Sequence, residues 1–210
     1  MALDTAWAMR WIALTRVEIG AQREYLIDLD RQIGDGDHGE NLDRGFGKVM
    51  EAFEATPPTS VQDCLKIVAK TLMSTVGGAA GPLYGTAFLR AAKVAVDEPL
   101  TGEAVAALIG GALGGIQARG KAERGEKTMV DAWGPAYDAA KAAAESGATP
   151  EQVLAVASEA AHKGALATEP LQATKGRASY LGERSKGHID PGAVSSAIIL
   201  AKALEAAEEE

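Results

Sequence analysis

Helical patterns of apolar residues run along most of this chain, and short segments rich in glycine, proline and acidic residues interrupt them. No stretch alternates apolar and polar residues with the β-branched side chains that strands favour. Alanine is abundant, whereas aromatic residues make up only 5% of the sequence, so the helices have mainly small side chains with which to pack. The pattern predicts an all-α protein.

Eight helices are predicted, and several begin at a recognisable capping residue. Ser60 and Thr149 have a side-chain oxygen that can accept the free N–H groups of a first helical turn. Asp190 has the same property and is followed by a proline at the first helical position. The expected helices cover approximately residues 4–29, 41–53, 60–76, 82–96, 101–119, 128–146, 149–170 and 190 to the end of the sequence.

The connectors between these helices are mostly short, which favours an antiparallel up-and-down bundle or helical barrel that forms a single domain over residues 1–210. In that topology alternate connectors lie at the same end. The connectors after the first, third, fifth and seventh helices are the chemically unusual ones, and they cover residues 30–40, 77–82, 120–127 and 170–190. We therefore expect one composite site at one rim.

The first of these connectors carries three carboxylates, Asp30, Asp35 and Asp37, together with three glycines. Asp35 and Asp37 lie two residues apart in a turn broken by glycine, so both side chains can converge on one point. Like charges repel each other at such a distance without a cation, and a set of oxygen ligands suits Mg²⁺ or Ca²⁺. The segment indicates a metal site; a plain Asp-Gly turn that caps the next helix is the alternative.

Two better-known motifs are excluded for this segment. An EF-hand loop beginning at Asp35 would have Gly39, which lacks a side-chain oxygen, at a ligand position and Phe46 at the position of the closing glutamate. The spacing of Gly34, Gly36 and Gly39 matches a dinucleotide-binding fingerprint, but a helix precedes it where a strand is required. Its aspartates would also repel a bare pyrophosphate. What remains is a loop that offers carboxylates to Mg²⁺.

The other unusual connectors offer groups that suit phosphate. Segment 77–82 is glycine-rich, lacks the lysine of a P-loop and can present backbone N–H groups to an anion, although a tight helix–helix turn also explains it. Arg177 is the best candidate to bind phosphate oxygens, and Asp190 caps the last helix, contacts a ligand or does both. His38 is expected to form a hydrogen bond to a phosphate rather than to coordinate the metal. The alternative is a histidine in a turn that has no specific role.

Three residues around the third of these connectors have simpler interpretations. Met129 can cover a purine face, but methionine at a helix start more commonly belongs to the core. Lys121 and Lys127 are expected to be solvated charges unless a phosphate lies nearby.

Charge and cysteine content exclude several functional classes. A formal net charge of −8 argues against nucleic acid or an anionic membrane as a partner. Cys64 is the only cysteine, which excludes a disulfide framework, and its apolar neighbours make it a core residue. The sequence has no basic leader and no apolar segment of about 20 residues, so we expect a cytoplasmic protein.

Four motifs together resemble the nucleotide-binding L subunit of the dihydroxyacetone kinase family. They are GDGDHGEN at 34–41, GGAAGPLYG at 77–85, GEKTM at 125–129 and GRASYLGERSKGHIDPG at 176–192, and they extend over nearly the whole chain. The resemblance implies an eight-helix antiparallel up-and-down barrel with ADP and two Mg²⁺ ions at one rim.

The resemblance also implies roles for individual residues. The metal ligands would be Asp30, Asp35 and Asp37. The nucleotide contacts would be His38, Gly39, Glu40, Asn41, Ala79, Ala80, Gly120, Met129, Arg177, Asp190, Pro191 and Gly192. The family commonly has serine at the position of Ala80, so a hydroxyl contact to phosphate, worth about 1 kcal/mol, is missing here.

By this resemblance the chain is a kinase subunit that works with the phosphotransferase system. Its bound ADP would accept a phosphoryl group from a phosphohistidine on donor subunit M and pass it to dihydroxyacetone on subunit K, giving dihydroxyacetone phosphate. Metal clamping requires no nucleophile or general base, so no catalytic side chain is expected on this chain. The alternatives are an ATP-dependent kinase subunit for another small hydroxyketone or sugar, and an ADP-dependent coactivator of a transcriptional regulator.

Overall fold

The computed structural model describes residues 2–208, and in that range it consists of helices and connectors without strands. The all-α prediction is confirmed. A 3₁₀ segment, Arg177–Ser185, lies between the last two α-helices. The α-helices are α1 Thr5–Ala21, α2 Arg23–Ile33, α3 His38–Ala55, α4 Val61–Thr75, α5 Ala80–Val94, α6 Gly102–Gly120, α7 Val130–Glu145, α8 Pro150–Leu166 and α9 Pro191–Glu208.

The first predicted helix, residues 4–29, is two helices, and this raises the number of α-helices from the predicted eight to nine within the described residues. The break lies at Gln22, whose φ of −92° and ψ of 7° depart from helical values. The Gln22 N–H still donates to the Glu18 carbonyl at 2.8 Å, and the Leu26 N–H donates to the Gln22 carbonyl at 2.9 Å. These two bonds bridge the bend, and neither a proline nor a side-chain cap marks the position in the sequence.

The predicted caps form as expected. The Ser60 hydroxyl accepts the Asp63 N–H at 2.9 Å, and Thr149 forms a complete capping box with Gln152. The Asp190 carboxylate accepts the Ala193 N–H at 2.7 Å and so caps α9. These local bonds fix where α4, α8 and α9 begin, and therefore where the connectors before them end.

Successive helices from α3 to α9 pack against each other, and α1 packs against both α3 and α9. The order of packing therefore closes on itself, as an eight-membered helical barrel requires. Trp7 and Trp11 of α1 stack with ring centroids 5.3 Å apart. Their indole N–H groups donate to the carbonyls of Ala203 at 3.0 Å and Ile199 at 2.8 Å, which joins the first helix to the last.

Small residues allow the helices to approach closely. A Cβ added to Gly115 of α6 would lie 2.7 Å from the Thr86 carbonyl oxygen of α5, and one added to Gly164 of α8 would lie 2.1 Å from the Asp131 carbonyl oxygen of α7. Cys64 is fully buried, as predicted, and burial raises the pKa of its thiol to about 12. No helix within residues 2–208 has both the length and the apolar character needed to cross a membrane.

Candidate functional site

A cavity of about 270 Å³ is lined by residues from all four of the unusual connectors. This volume is close to the lower end of the range for small-molecule sites. Of the residues predicted to form a site, all except Gly39 and Glu40 line it. Those residues are Asp30, Asp35, Asp37, His38, Asn41, Ala79, Ala80, Gly120, Met129, Arg177, Asp190, Pro191 and Gly192.

The three carboxylates converge at one side of the cavity. Asp30, Asp35 and Asp37 each have a carboxylate oxygen within 4.8 Å of those of the other two. Asp30 Oδ2 accepts the backbone N–H groups of Asp37 at 2.9 Å and His38 at 3.2 Å, so the last turn of α2 organises the loop that follows it. Gly36 has a φ of 75°, a conformation that side chains with a Cβ adopt only with strain.

This cluster has the composition of a Mg²⁺ site. Three carboxylates at this spacing repel one another, and a divalent cation with oxygen preference removes that cost. Gly34 is packed against the cluster, since an added Cβ would lie 2.0 Å from Asp30 Oδ1. The residues present therefore fit a hard divalent cation.

Arg177 approaches the same cluster from the start of the 3₁₀ segment. Its guanidinium Nη2 lies 2.9 Å from Asp35 Oδ2, and its side chain keeps 68% of its surface exposed. A guanidinium in this position lowers the negative potential and can also bind an anion that enters the cavity. The structure thus brings the predicted phosphate-binding arginine next to the predicted metal ligands.

Two helix N-termini also face the cavity. Ala79 and Ala80 begin α5, and Pro191 and Gly192 begin α9. The free N–H groups of a first helical turn and the helix dipole both favour an anion. Gly78, before α5, has a φ of 64°. The connector 77–82 is therefore a tight turn, and the binding of an anion by its backbone N–H groups stays a prediction.

Some of the residues that line the cavity are apolar, and we call them the apolar wall. Met129, which is buried, contributes to it together with Leu83, Ile116 and Ala122. Gly192 permits the close approach of α9 to this wall, since an added Cβ would lie 3.0 Å from Met129 Cγ. Met129 is thus both a core residue and a lining residue, and the wall suits a flat aromatic group.

The burial of Lys127 contradicts the prediction that its charge is solvated. The same prediction holds for Lys121, which is exposed. Lys127 is 1% exposed. Its ammonium Nζ lies within hydrogen-bonding distance of four carbonyl oxygens, which share its three N–H donors: Thr168 at 2.7 Å, Leu171 at 3.1 Å, Glu169 at 3.2 Å, and His188. Burial lowers the pKa of this ammonium, and the carboxylates of Asp190, Glu169 and Asp131 oppose that effect. One buried cation therefore holds both ends of the segment that carries Arg177.

Asp190 occupies the end of that segment. Its N–H donates to the Thr168 hydroxyl at 2.9 Å while its carboxylate caps α9. Burial, together with the charges of Asp131 and Asp30, raises the pKa of Asp190 to about 7. Asp190 caps the helix and lines the cavity, so the two roles considered for it are compatible.

The His38 side chain is buried and already has a hydrogen-bond partner in the protein, which the sequence did not indicate. The ring is 8% exposed, and its Nε2 lies 2.8 Å from the Ser195 hydroxyl of α9. Burial lowers the pKa of the imidazole, and the charges of Asp30 and Asp37 oppose the shift. No sequence signal connected His38 with Ser195, because the two residues lie 157 positions apart.

Gly39 and Glu40 lie next to this histidine but do not line the cavity. A Cβ on Gly39 would lie 2.2 Å from the Arg23 carbonyl oxygen, so this glycine allows α3 to pack on α2. The exposed Glu40 carboxylate lies 3.9 Å from Arg23 Nη2. Their nucleotide contacts stay a prediction.

Comparison with known proteins places this architecture in a family. The model of the DAK2 domain matches residues 32–205. This chain belongs to the DAK2 domain family. The resemblance inferred from the four sequence motifs is thereby confirmed.

The DAK2 chain is similar over almost its whole length to curated proteins. It is 43% identical to the PEP-dependent dihydroxyacetone kinase 1, ADP-binding subunit DhaL, of Listeria innocua, over 95% of each chain. It is 44% identical to the PTS-dependent dihydroxyacetone kinase, ADP-binding subunit DhaL, of Lactococcus lactis, over 98% of each chain.

A solved structure has the same fold as the DAK2 chain. The dihydroxyacetone kinase from C. freundii in complex with AMP-PNP and Mg²⁺ superposes with a TM-score of 0.68 at 23% identity. The match covers 93% of the DAK2 chain and 33% of that longer chain. At this identity the comparison shows a shared helical fold.

Proposed function

We propose that this chain is the ADP-binding, phosphoryl-transfer subunit of a dihydroxyacetone kinase. The observation that carries the proposal is the cavity itself, which is lined by a three-carboxylate cluster, two helix N-termini and an apolar wall. These are the groups that Mg²⁺, phosphate and a purine base require. The names of the full-length relatives support the same function.

Each part of the cavity has a separate task in this proposal. Asp30, Asp35 and Asp37 would hold two Mg²⁺ ions, which when bound supply neutralisation of phosphate charge. Arg177 binds phosphate oxygens, and the N–H groups that begin α5 and α9 orient the chain of phosphates. The wall around Met129 excludes water from one face of the base. In this proposal the described residues act by positioning and electrostatics, and none of them serves as a nucleophile or general base.

The partners of the chain are part of the proposal. A phosphohistidine on a donor subunit M would transfer its phosphoryl group to ADP held here, and dihydroxyacetone on a subunit K would receive it. The relatives named as ADP-binding subunits of PEP-dependent and PTS-dependent kinases support a role within such an assembly. We place this assembly in the cytoplasm.

Turnover in a reconstituted system tests the function. Purified chain is combined with subunits K and M and the general phosphotransferase proteins, and phosphoenolpyruvate-dependent formation of dihydroxyacetone phosphate is measured. We expect product that depends on the chain and on catalytic amounts of ADP. Product formed with free ATP when M is omitted would favour the ATP-dependent alternative, and no product with either donor would contradict the proposed function.

A further inference from the structure

Three buried hydroxyl groups form a hydrogen-bonded cluster next to His38, and the function described so far uses none of them. They belong to Tyr84 of α5 and to Ser195 and Ser196 of α9, and all three residues are 0% exposed. The Tyr84 hydroxyl lies 2.6 Å from Ser195 Oγ and 3.0 Å from Ser196 Oγ. Ser195 Oγ in turn lies 2.8 Å from His38 Nε2. The hydroxyls therefore connect α5 and α9 to the first turn of α3.

The number of hydroxyl hydrogens determines which group donates in each of these hydrogen bonds. Each hydroxyl has one hydrogen to donate. The Gly192 carbonyl lies 2.7 Å from Ser196 Oγ, 3.1 Å from Ser195 Oγ and 3.3 Å from the Tyr84 hydroxyl, so Ser196 is its best donor. Tyr84 then donates to Ser195 across the shortest contact, which leaves the Ser195 hydrogen for His38 Nε2.

The direction of the Ser195 bond determines the tautomer of His38. A neutral imidazole has one nitrogen that donates and one that accepts. Because Nε2 accepts the Ser195 hydrogen, the ring hydrogen lies on Nδ1.

We propose that Tyr84 and Ser195 are positioning residues that hold His38 in the Nδ1–H tautomer and so fasten the first turn of α9 to the first turn of α3. The first turn of α3 follows the metal-ligand candidate Asp37, and that of α9 contains Pro191 and Gly192. The network therefore fixes the spacing between the metal half and the nucleotide half of the cavity. The identification of these two halves rests on the proposed function, in which the cavity binds ADP together with Mg²⁺.

The tautomer of His38 can be measured directly, because the chain has only three histidines. Protein labelled with ¹⁵N-histidine is studied by long-range ¹H–¹⁵N NMR at pH 8. We expect the His38 ring to have an Nε2 with the shift of an unprotonated nitrogen and an Nδ1 with that of an N–H. His188, whose Nδ1 lies 2.6 Å from Gln32 Oε1, can show the same pattern, so the His38 signal is the one that persists in His188→Gln. Exposed His162 is expected to show the averaged shifts of exchanging tautomers.

Two variants and a matched control separate this role from general packing. Ser195→Ala removes the partner of His38, and Tyr84→Phe removes the donor behind it with little change in volume. Ser196→Ala removes a neighbouring hydroxyl that touches Tyr84 but not His38, while the Gly192 carbonyl keeps its helical partner N–H. We expect the Nε2 shift to change strongly in Ser195→Ala, less in Tyr84→Phe and little in Ser196→Ala.

Binding of ADP in the presence of Mg²⁺, measured by calorimetry, gives the second readout. A lost buried hydrogen bond corresponds to a weakening of roughly tenfold at most. We expect about tenfold weaker binding for Ser195→Ala, about threefold for Tyr84→Phe and less than twofold for Ser196→Ala.

Several results would overturn the inference. These are an Nε2–H tautomer in the wild type, an unchanged His38 spectrum in both Ser195→Ala and Tyr84→Phe, or equal effects of Ser195→Ala and Ser196→Ala on binding. If wild type binds no ADP, the proposed function fails, and the tautomer spectra still decide whether Tyr84 and Ser195 position His38.

Discussion

The two segments that meet at the cavity are organised in opposite ways. The carboxylate loop after α2 is shaped from within, because Asp30 accepts the N–H groups of Asp37 and His38 only a few residues later. The segment between α8 and α9 is held from outside, by the ammonium of Lys127 on four carbonyls at least 41 positions away. A locally organised loop can be recognised in a sequence, whereas a segment held by a distant residue cannot.

The two segments are also expected to contribute differently, the first to function and the second to the stability of the fold. The carboxylates repel one another and contribute to a site rather than to folding. The Lys127 ammonium is satisfied by protein groups alone, so its removal leaves several buried carbonyls without a partner. We therefore expect changes in the first segment to affect activity and changes in the second to affect the free energy of unfolding.

The largest effect is expected for Asp37→Ala. Loss of a metal ligand should lower phosphoryl transfer by at least ~10³-fold, because charge stabilisation in a metal site accounts for several kcal/mol of the barrier. Turnover and the urea midpoint are both measured. Asp28→Ala, which removes a carboxylate with a 63% exposed side chain from α2, is the control and should retain full turnover. A folded Asp37→Ala protein with normal turnover would remove the basis of the metal assignment.

Lys127→Met should give the next largest effect, this time on stability. The side chain keeps its approximate length but loses every hydrogen bond to the surrounding carbonyls, so we expect a loss of about 3 kcal/mol in the free energy of unfolding. Urea denaturation measures it. Lys121→Met, at an exposed position that also has a positive φ, should change stability by less than about 0.5 kcal/mol. Equal stabilities for the two variants would show that the segment does not depend on Lys127.

Gly36→Ala tests whether the carboxylate loop depends on its own backbone. A side chain at a φ of 75° is strained, and the new Cβ would lie 2.6 Å from Arg31 Cγ. We expect a destabilisation of about 1–2 kcal/mol together with weaker binding of Mg²⁺ and ADP. Urea denaturation and calorimetry measure the two effects. Unchanged values of both would indicate that the loop tolerates other conformations.

The last effect concerns Asp190 and the pH dependence of stability. The folded-state pKa of about 7 lies above the ordinary value of 3.8, so the folded protein binds more protons between these values. The free energy of unfolding should therefore fall as pH rises from about 4 to about 7. Urea titrations of ligand-free protein at pH 5 and pH 8 measure the change.

Asp190→Asn isolates that contribution. Asparagine can still cap α9 but does not titrate in this range. The lowered pKa of His38 acts in the opposite sense and is common to both proteins, so it cancels in the comparison. A variant whose stability changes with pH as strongly as that of the wild type would assign the dependence to other groups.

The sequence was informative wherever a feature depended on neighbouring residues. The caps at Ser60 and Thr149 and the convergence of Asp30, Asp35 and Asp37 follow from spacings of a few positions. The four connectors that line the cavity were also predicted, because the number of helices between them determines the end at which each lies.

The features that the sequence did not reveal depend on contacts between distant residues. The burial of Lys127 depends on carbonyls of another connector, and backbone carbonyls have no signature in a sequence. The contact of His38 with Ser195 requires α3 and α9 to be already packed. The break at Gln22 is bridged by two backbone hydrogen bonds and has neither a proline nor a side-chain cap, so no residue marks it in the sequence.

Native mass spectrometry of the freshly purified chain, before and after treatment with EDTA, tests the central claim most directly. We predict a species heavier than the chain by one ADP and two Mg²⁺ ions, which EDTA converts to the bare chain and which added Mg²⁺ and ADP restore. A chain that is bare from the start and takes up no ADP when Mg²⁺ is supplied would contradict the assignment of this cavity to a nucleotide.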